Sequence, residues 1–292
     1  MHYLGQRSHR IGFRCQPDLS RLESALRQSH TWHIKVNKVR SRPTSDWCGN
    51  ILAFVFTICV NGLANGVPLG GQTTGEISDK YPSLFTPAGY VFSIWGLIYI
   101  GLTIFIVWQA LPQQRSNKYL AAIRIPFLAS CAANGAWIFA WHYDLLALSL
   151  IFMLTLLCSL IQIYRTLNIG LSNGAVTERW LLHLPFSIYL GWVTVAMIAN
   201  ISALQIDWGW DDIGFNATTW TIIKIAIAAT ISATVLLRRR DIAFILVTVW
   251  ACTGIAIKHS ATPMVSGASS VIALFGLLLI ASELLVRSRL RC

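Results

Sequence analysis

Catalysis by side chains needs ionisable groups held close together, and this 292-residue sequence does not supply them in any familiar pattern. Its apolar stretches carry no carboxylate pair, no His-Glu-x-x-His run, no Ser/His/Asp set and no phosphate-cradling glycine loop, so no enzyme is read from it. What they do carry is indole, phenol and amide at helical spacing. Asn134 and Trp137 are three residues apart and share one helix face. Trp95 and Tyr99 are four apart, as are Trp192 and Ala196, with Asn200 one turn further. An amide in the middle of a bilayer is costly unless bonded. Asn134 therefore has two readings: an interhelical hydrogen bond, worth about 1 kcal/mol in membranes, or a polar contact inside a ligand cavity. Small Ala beside large Trp leaves room for a ring to slot between helices. A cavity lined by indoles and one amide suits a flat, apolar, polarisable ligand, because rings favour offset-stacked or edge contacts. Most small-molecule sites are apolar with a few placed polar groups. On the residues alone, a packed helical core accounts for the same pattern.

Other reactive side chains are scattered. The seven cysteines form no CxxC pair, and Cys59, Cys131, Cys158 and Cys252 fall inside apolar stretches, as buried thiols would. His30 and His33 with Cys15 make a weak grouping that chance explains better than a metal. Lys224 lies within an apolar stretch and either snorkels to the interface or serves as counter-ion to a ligand carboxylate. Glu283 falls beside Arg287, Arg289 and Arg291, at an interface. Arg238-Arg239-Arg240 reads as an anchor toward anionic lipid, in a place that argues against nucleic acid.

These residues need membrane-spanning helices to position them. Over half the residues are apolar, only 12% are charged, and mean hydropathy is +0.57. A soluble domain carries about twice that charged fraction. The apolar residues fall in eight blocks, at 49–69, 88–110, 122–141, 145–166, 181–204, 217–237, 241–258 and 266–287. Each approaches the ~20 residues that cross a hydrocarbon core, the seventh being shortest. Only helices keep every backbone amide paired in lipid within one segment. The expected fold is therefore all-α, a polytopic helical bundle with about eight transmembrane helices. Charge supports the count. With both termini on one side, that side holds twenty of the twenty-three Lys and Arg, leaving Lys80 and Lys258 opposite and Lys224 within a span. Cytoplasmic loops carry this excess. Trp47, Trp108, Trp141, Trp208, Trp210 and Trp220 fall near block ends, as interfacial-belt residues do. Residues 1–46 differ from the rest, with nine Lys or Arg against three acids and no apolar block, and read as a basic, disordered or mis-assigned tail.

Three segments resemble one family in order along the chain. The second block contains Pro87, then Tyr90-Val91-Phe92, Trp95 and Tyr99. The third contains Asn134-x-x-Trp137, and the fifth contains Tyr189-x-x-Trp192-Val193, Ala196 and Asn200. These are similar to helices two, three and five of the TspO/MBR family, the tryptophan-rich sensory proteins related to the translocator protein (peripheral-type benzodiazepine receptor). The pattern departs at Ile188, where the family has Pro, and the double Pro before helix two is reduced to Thr86-Pro87. The tyrosine-then-basic ending of helix five is missing, which removes support for cholesterol. The resemblance covers about 49–204 and implies a five-helix core over 47–204, with 205–292 adding three helices. It further implies a ligand site at Pro87, Trp95, Tyr99, Asn134, Trp137, Trp192 and Ala196. The implied ligand is a tetrapyrrole (protoporphyrin or haem) or a similar flat apolar molecule, bound without a required cofactor or metal. The loop at 70–87 would fold over the site as a mobile lid. Expected partners are the bilayer, a small hydrophobic ligand and a second copy in a homodimer, in a bacterial plasma membrane with both termini cytoplasmic. The role would be sensing or transport; the rival reading is a secondary transporter of small hydrophobic solutes.

Overall fold

The computed structural model describes residues 42–172, 174–210 and 212–289, which belong to one compact unit. The basic segment 1–41, including Cys15, His30 and His33, lies outside the described residues, as does Arg291. Among the described residues every regular element is helical. Eight are apolar: α1 Thr44–Gly66, α3 Gly89–Ala110, α4 Lys118–His142, α5 Leu146–Thr166, α6 Val176–Asp207, α7 Ala217–Arg239, α8 Ile242–Lys258 and α9 Pro263–Arg289. A ninth, α2 Thr74–Lys80, sits in the loop between α1 and α3. Seven of the eight are long and apolar enough to cross a membrane, and α8, at 17 residues, is shorter. At 1.5 Å per residue α8 is roughly 25 Å long. The eight helices match the eight blocks, and the fold is a polytopic helical bundle.

Helix ends follow from local chemistry. The Asn117 side chain accepts from Tyr119 N and Leu120 N, starting α4. Asn216 does the same for α7 through Thr219 N at 2.8 Å. Asp241 caps α8 through Ala243 N and Phe244 N. These contacts satisfy amides that no helix can bond for itself. α1 starts at Thr44, before its apolar block, because Arg42 donates to Asp46 across one turn at 3.0 Å, with both side chains buried. Arg42 also donates to Gln109 Oε1 on α3, tying the two helices together.

α6 is the axis of the bundle. It packs against α3, α5, α7 and α8. Two glycines set its spacing. A Cβ on Gly101 of α3 would lie 3.2 Å from Pro185 Cβ, and one on Gly191 would lie 3.2 Å from the Phe244 carbonyl of α8. Ser187 of α6 donates to the Asp241 carboxylate, which also accepts from Tyr164 of α5 at 2.7 Å. α7 to α9 are thus joined to the other helices through α6 and α8.

Two expectations change. Cys131 and Cys252 are buried, but Cys59 and Cys158 are exposed, on helix faces turned away from the bundle. Trp208 and Trp210 are exposed as belt residues would be, yet Trp108 and Trp141 are buried. Position near a helix end did not decide their fate; the helix face did.

Candidate functional site

An aromatic cluster fills the space between α3, α4 and α6. Trp95 is its hub. It stacks on Tyr99 with ring centroids 5.6 Å apart and an 18° tilt. It meets Trp137 at 5.8 Å, and it meets Tyr189 and Trp192 edge-on at 6.0 and 6.2 Å. Trp137 stacks on Trp141 one turn further, and Phe92 makes an edge contact with Trp192. Heptad-free helical spacing does this: residues three or four apart share a face, so each helix presents a short column of rings.

A cavity of about 30 Å³ lies against this cluster. Pro87, Trp95, Trp137, Trp192 and Ala196 line it. Tyr99 stands behind Trp95 and does not reach it. Asn134 lies off the cavity as well, in a chain of amides. It accepts from Asn61 Nδ2 at 2.7 Å and donates to the Tyr189 hydroxyl at 2.9 Å, joining α1, α4 and α6. The interhelical hydrogen bond is therefore what Asn134 makes here. Asn61 belongs to the same set: its carbonyl accepts from Asn65, whose Oδ1 accepts from Thr74 N in the loop. Asn200 does line the cavity and bonds Ser149 of α5.

Three residues that line the cavity each carry a polar atom buried without a hydrogen-bond partner among the described residues: Trp137 Nε1, Trp192 Nε1 and Thr74 Oγ1. A buried donor left unpaired costs about 1–3 kcal/mol. Two indole N–H groups and a hydroxyl on the residues around one small void are thus left without a partner among the described residues.

The loop between α1 and α3 closes the cavity. Thr74 and Ser78 of α2 and Pro87 line it. Gly70 and Gly71 have positive φ (68° and 79°), the backbone state that lets the chain turn back over the helices. Thr73 and Glu76 form a reciprocal cap that starts α2, and the Thr73 bonds hold the Glu76 carboxyl below the usual range. The loop is pinned on both flanks. On one, Trp141 Nε1 donates to the Thr74 carbonyl at 3.2 Å, and Lys80 and Tyr81 both reach Asp144 at the α4–α5 turn. Burial, and then the Asp144 contact, push the Tyr81 phenol up to about 12. On the other flank the partners come from α8. Lys258 pairs with Asp79 at 2.5 Å, His259 Nε2 contacts the Thr86 carbonyl at 3.0 Å, and Trp250 Nε1 donates to the Val91 carbonyl at 3.1 Å. Because the Thr86 partner is a carbonyl, His259 Nε2 carries the proton. Ala88 N donates to the Gly254 carbonyl at 3.2 Å. The His259 imidazole is held below its ordinary value, by burial first and by neighbouring Lys258 as well.

A family model described as TSPO-like protein matches residues 46–282. The chain belongs to the TSPO-like family. No curated protein and no solved structure matches it. The family match runs past residue 204, where the sequence motifs end, and takes in α7, α8 and most of α9. The cavity also includes residues that motif comparison missed. Thr74, Ser78, Phe92, Trp141, Val195 and Ala199 line the cavity without belonging to the expected set. Ala199 stands three residues after Ala196, so the small-residue face was legible one turn further. Trp141 stands four after Trp137, which carries the same signal. Nothing in sequence spacing placed Thr74 or Ser78 there, because a loop has no period.

Proposed function

We propose that this TSPO-like membrane protein binds a flat, apolar, acceptor-bearing ligand of tetrapyrrole type in the Trp-lined cavity, and that the α1–α3 loop gates entry. The observation that carries the reading is the pair of unpartnered indole N–H groups, of Trp137 and Trp192, on one aromatic wall. Ring faces supply stacking for a macrocycle, and the two donors suit its carboxylate or carbonyl oxygens.

The closed cavity bears on the mechanism. At about 30 Å³ it has room for one water. A macrocycle enters only after the loop lifts from α4 and α8 and Trp95 turns away from Trp192. Binding is therefore coupled to opening, and the affinity observed is the intrinsic affinity reduced by the open fraction. Among the described lining residues there is no His, Cys or Met to ligate iron axially. Recognition then rests on the ring and its acceptors, and metal-free porphyrin and haem are expected to bind alike. The reading is of a binding and signalling protein rather than an enzyme. The end of the bundle rich in Arg is expected to face the cytoplasm of a bacterial plasma membrane.

The test is porphyrin titration of the purified protein followed by Trp fluorescence quenching. Saturable quenching that is lost in the Trp95, Trp137 and Trp192 triple replacement to Phe supports the reading. Quenching that persists unchanged in the triple variant removes the site. Uptake of porphyrin into proteoliposomes distinguishes carriage across the bilayer from binding alone.

A further inference from the structure

A second concavity, of about 480 Å³, lies at the opposite end of the bundle from the α1–α3 loop. It forms where the α5–α6 loop, the start of α6, the α7–α8 turn and the end of α9 meet. Its charged and polar lining includes Arg179, His183, Ser187, Arg240, Asp241 and Arg287. The charges do not cancel. Asp241 is 7% exposed, and its oxygens are taken up by Tyr164, Ser187 and the first amides of α8. Glu283 is shared between Arg287 at 2.7 Å and Arg240 at 3.8 Å. Arg179 makes no ion pair among the described residues. Three guanidinium groups therefore face the concavity against two acids, Asp241 and Glu283, which leaves an excess of positive charge.

Arg240 is held there at a conformational cost. Its φ is 56° and ψ is 32°, a left-handed position just after α7 that glycine or asparagine usually fills. Arg287 donates to the Arg240 carbonyl, which fixes that backbone. A non-glycine residue kept in this state points to use of its side chain. The rim supplies a second, independent observation. Trp180 and Leu171 are 64% and 51% exposed, and Leu184 and Ile242 form an apolar wall. An exposed Trp beside Arg, at the end of spanning helices, marks the depth of lipid headgroups.

We propose that this concavity binds the phosphodiester headgroup of an anionic phospholipid. Arg179, Arg240 and Arg287 fork onto the phosphate oxygens, as guanidinium groups do with planar pairs of acceptors. The acyl chains follow the apolar wall into the bilayer. A free phosphate shares the headgroup chemistry but has no use for that wall, and so the lipid is the source assigned.

The test uses the full chain in nanodiscs of phosphatidylcholine, with and without phosphatidylglycerol. Lipids retained on extraction are counted by native mass spectrometry, and the thermal midpoint is measured in parallel. The wild type should retain phosphatidylglycerol over phosphatidylcholine by about tenfold, the order expected for a few charge-assisted bonds, with a raised midpoint. Arg240→Gly relaxes the left-handed backbone, so it should be at least as stable as the wild type in neutral lipid yet lose most of the preference. Arg179→Gln should lose it too. Arg165→Gln removes an exposed charge that does not line the concavity and should keep it. Equal retention of both lipids by the wild type overturns the proposal. So does a preference that survives Arg240→Gly and Arg179→Gln, or one that falls equally in Arg165→Gln. Inorganic phosphate added to neutral nanodiscs should not raise the midpoint; an equal rise would assign the site to free phosphate instead.

Discussion

Replacing Gly254 with alanine drives a methyl group into the hinge of the α1–α3 loop. A Cβ built at Gly254 would lie 2.1 Å from Val91 Cγ2 and 3.2 Å from Pro87 Cβ. Ordinary contact begins at 3.4 Å, so Val91 must retreat by the difference, 3.4 − 2.1 = 1.3 Å. It has little room to do so. Val91 is fully buried, its β-branched side chain is stiff at χ1, and its carbonyl is held by Trp250. The short helical turn at Gly89–Ser93 must shift as a unit and take Pro87 with it, loosening the Ala88 N to Gly254 bond. Overpacking of this kind costs about 1–3 kcal/mol. If that cost falls on the closed loop alone, the open population rises roughly 5- to 150-fold. Stopped-flow porphyrin quenching should therefore speed up in Gly254→Ala, while the thermal midpoint falls. An unchanged association rate together with an unchanged midpoint would refute the argument that α8 holds the loop shut.

Other outcomes follow from the same contacts. Asn134→Leu strips Asn61 and the Tyr189 hydroxyl of their shared partner and should cost about 1–3 kcal/mol, read as a lower thermal midpoint with the helices still formed by circular dichroism. The Trp137→Phe and Trp192→Phe double variant deletes two donors that have no hydrogen-bond partner among the described residues, so porphyrin affinity should fall more than stability does. His259 has its folded pKa below its ordinary value, so closure is fully supported above about pH 6.5 and loses support as pH falls through the folded pKa. Porphyrin association should accelerate over that acid range, and His259→Gln should flatten the dependence; an unaltered pH profile in the variant would contradict the assignment.

The helices were legible because their signal is one-dimensional: an apolar run of spanning length, bounded by Gly, Pro and charge. The weakest run, 241–258, became the shortest of the eight apolar helices, with Asp241 as its cap and Lys258 at its end. The aromatic wall was legible in part, since Trp95, Trp137 and Trp192 sit three or four residues from other matched positions. Asn134 was readable as a buried amide needing partners, but which partners could not be read, because Asn61 lies on another helix 73 residues away. Trp141 was misread as interfacial since its nearness to the end of α4 hid the loop that covers it. The bonds from Lys258 and His259 to the loop, and from Trp250 to the first turn of α3, span more than 150 residues of sequence and leave no periodic trace.

Those long-range bonds bear on where the chain can be divided. A protein ending after α6 would keep every indole of the cavity, yet it would expose the Gly191 face of α6, strand Tyr164 and Ser187 without Asp241, and leave one flank of the loop unfastened. The five-helix portion is thus not a smaller copy of the whole with the same door. In this chain the latch is carried by a different part of the sequence from the room it closes, so selection or engineering can loosen the loop through α8 without touching an indole that lines the cavity.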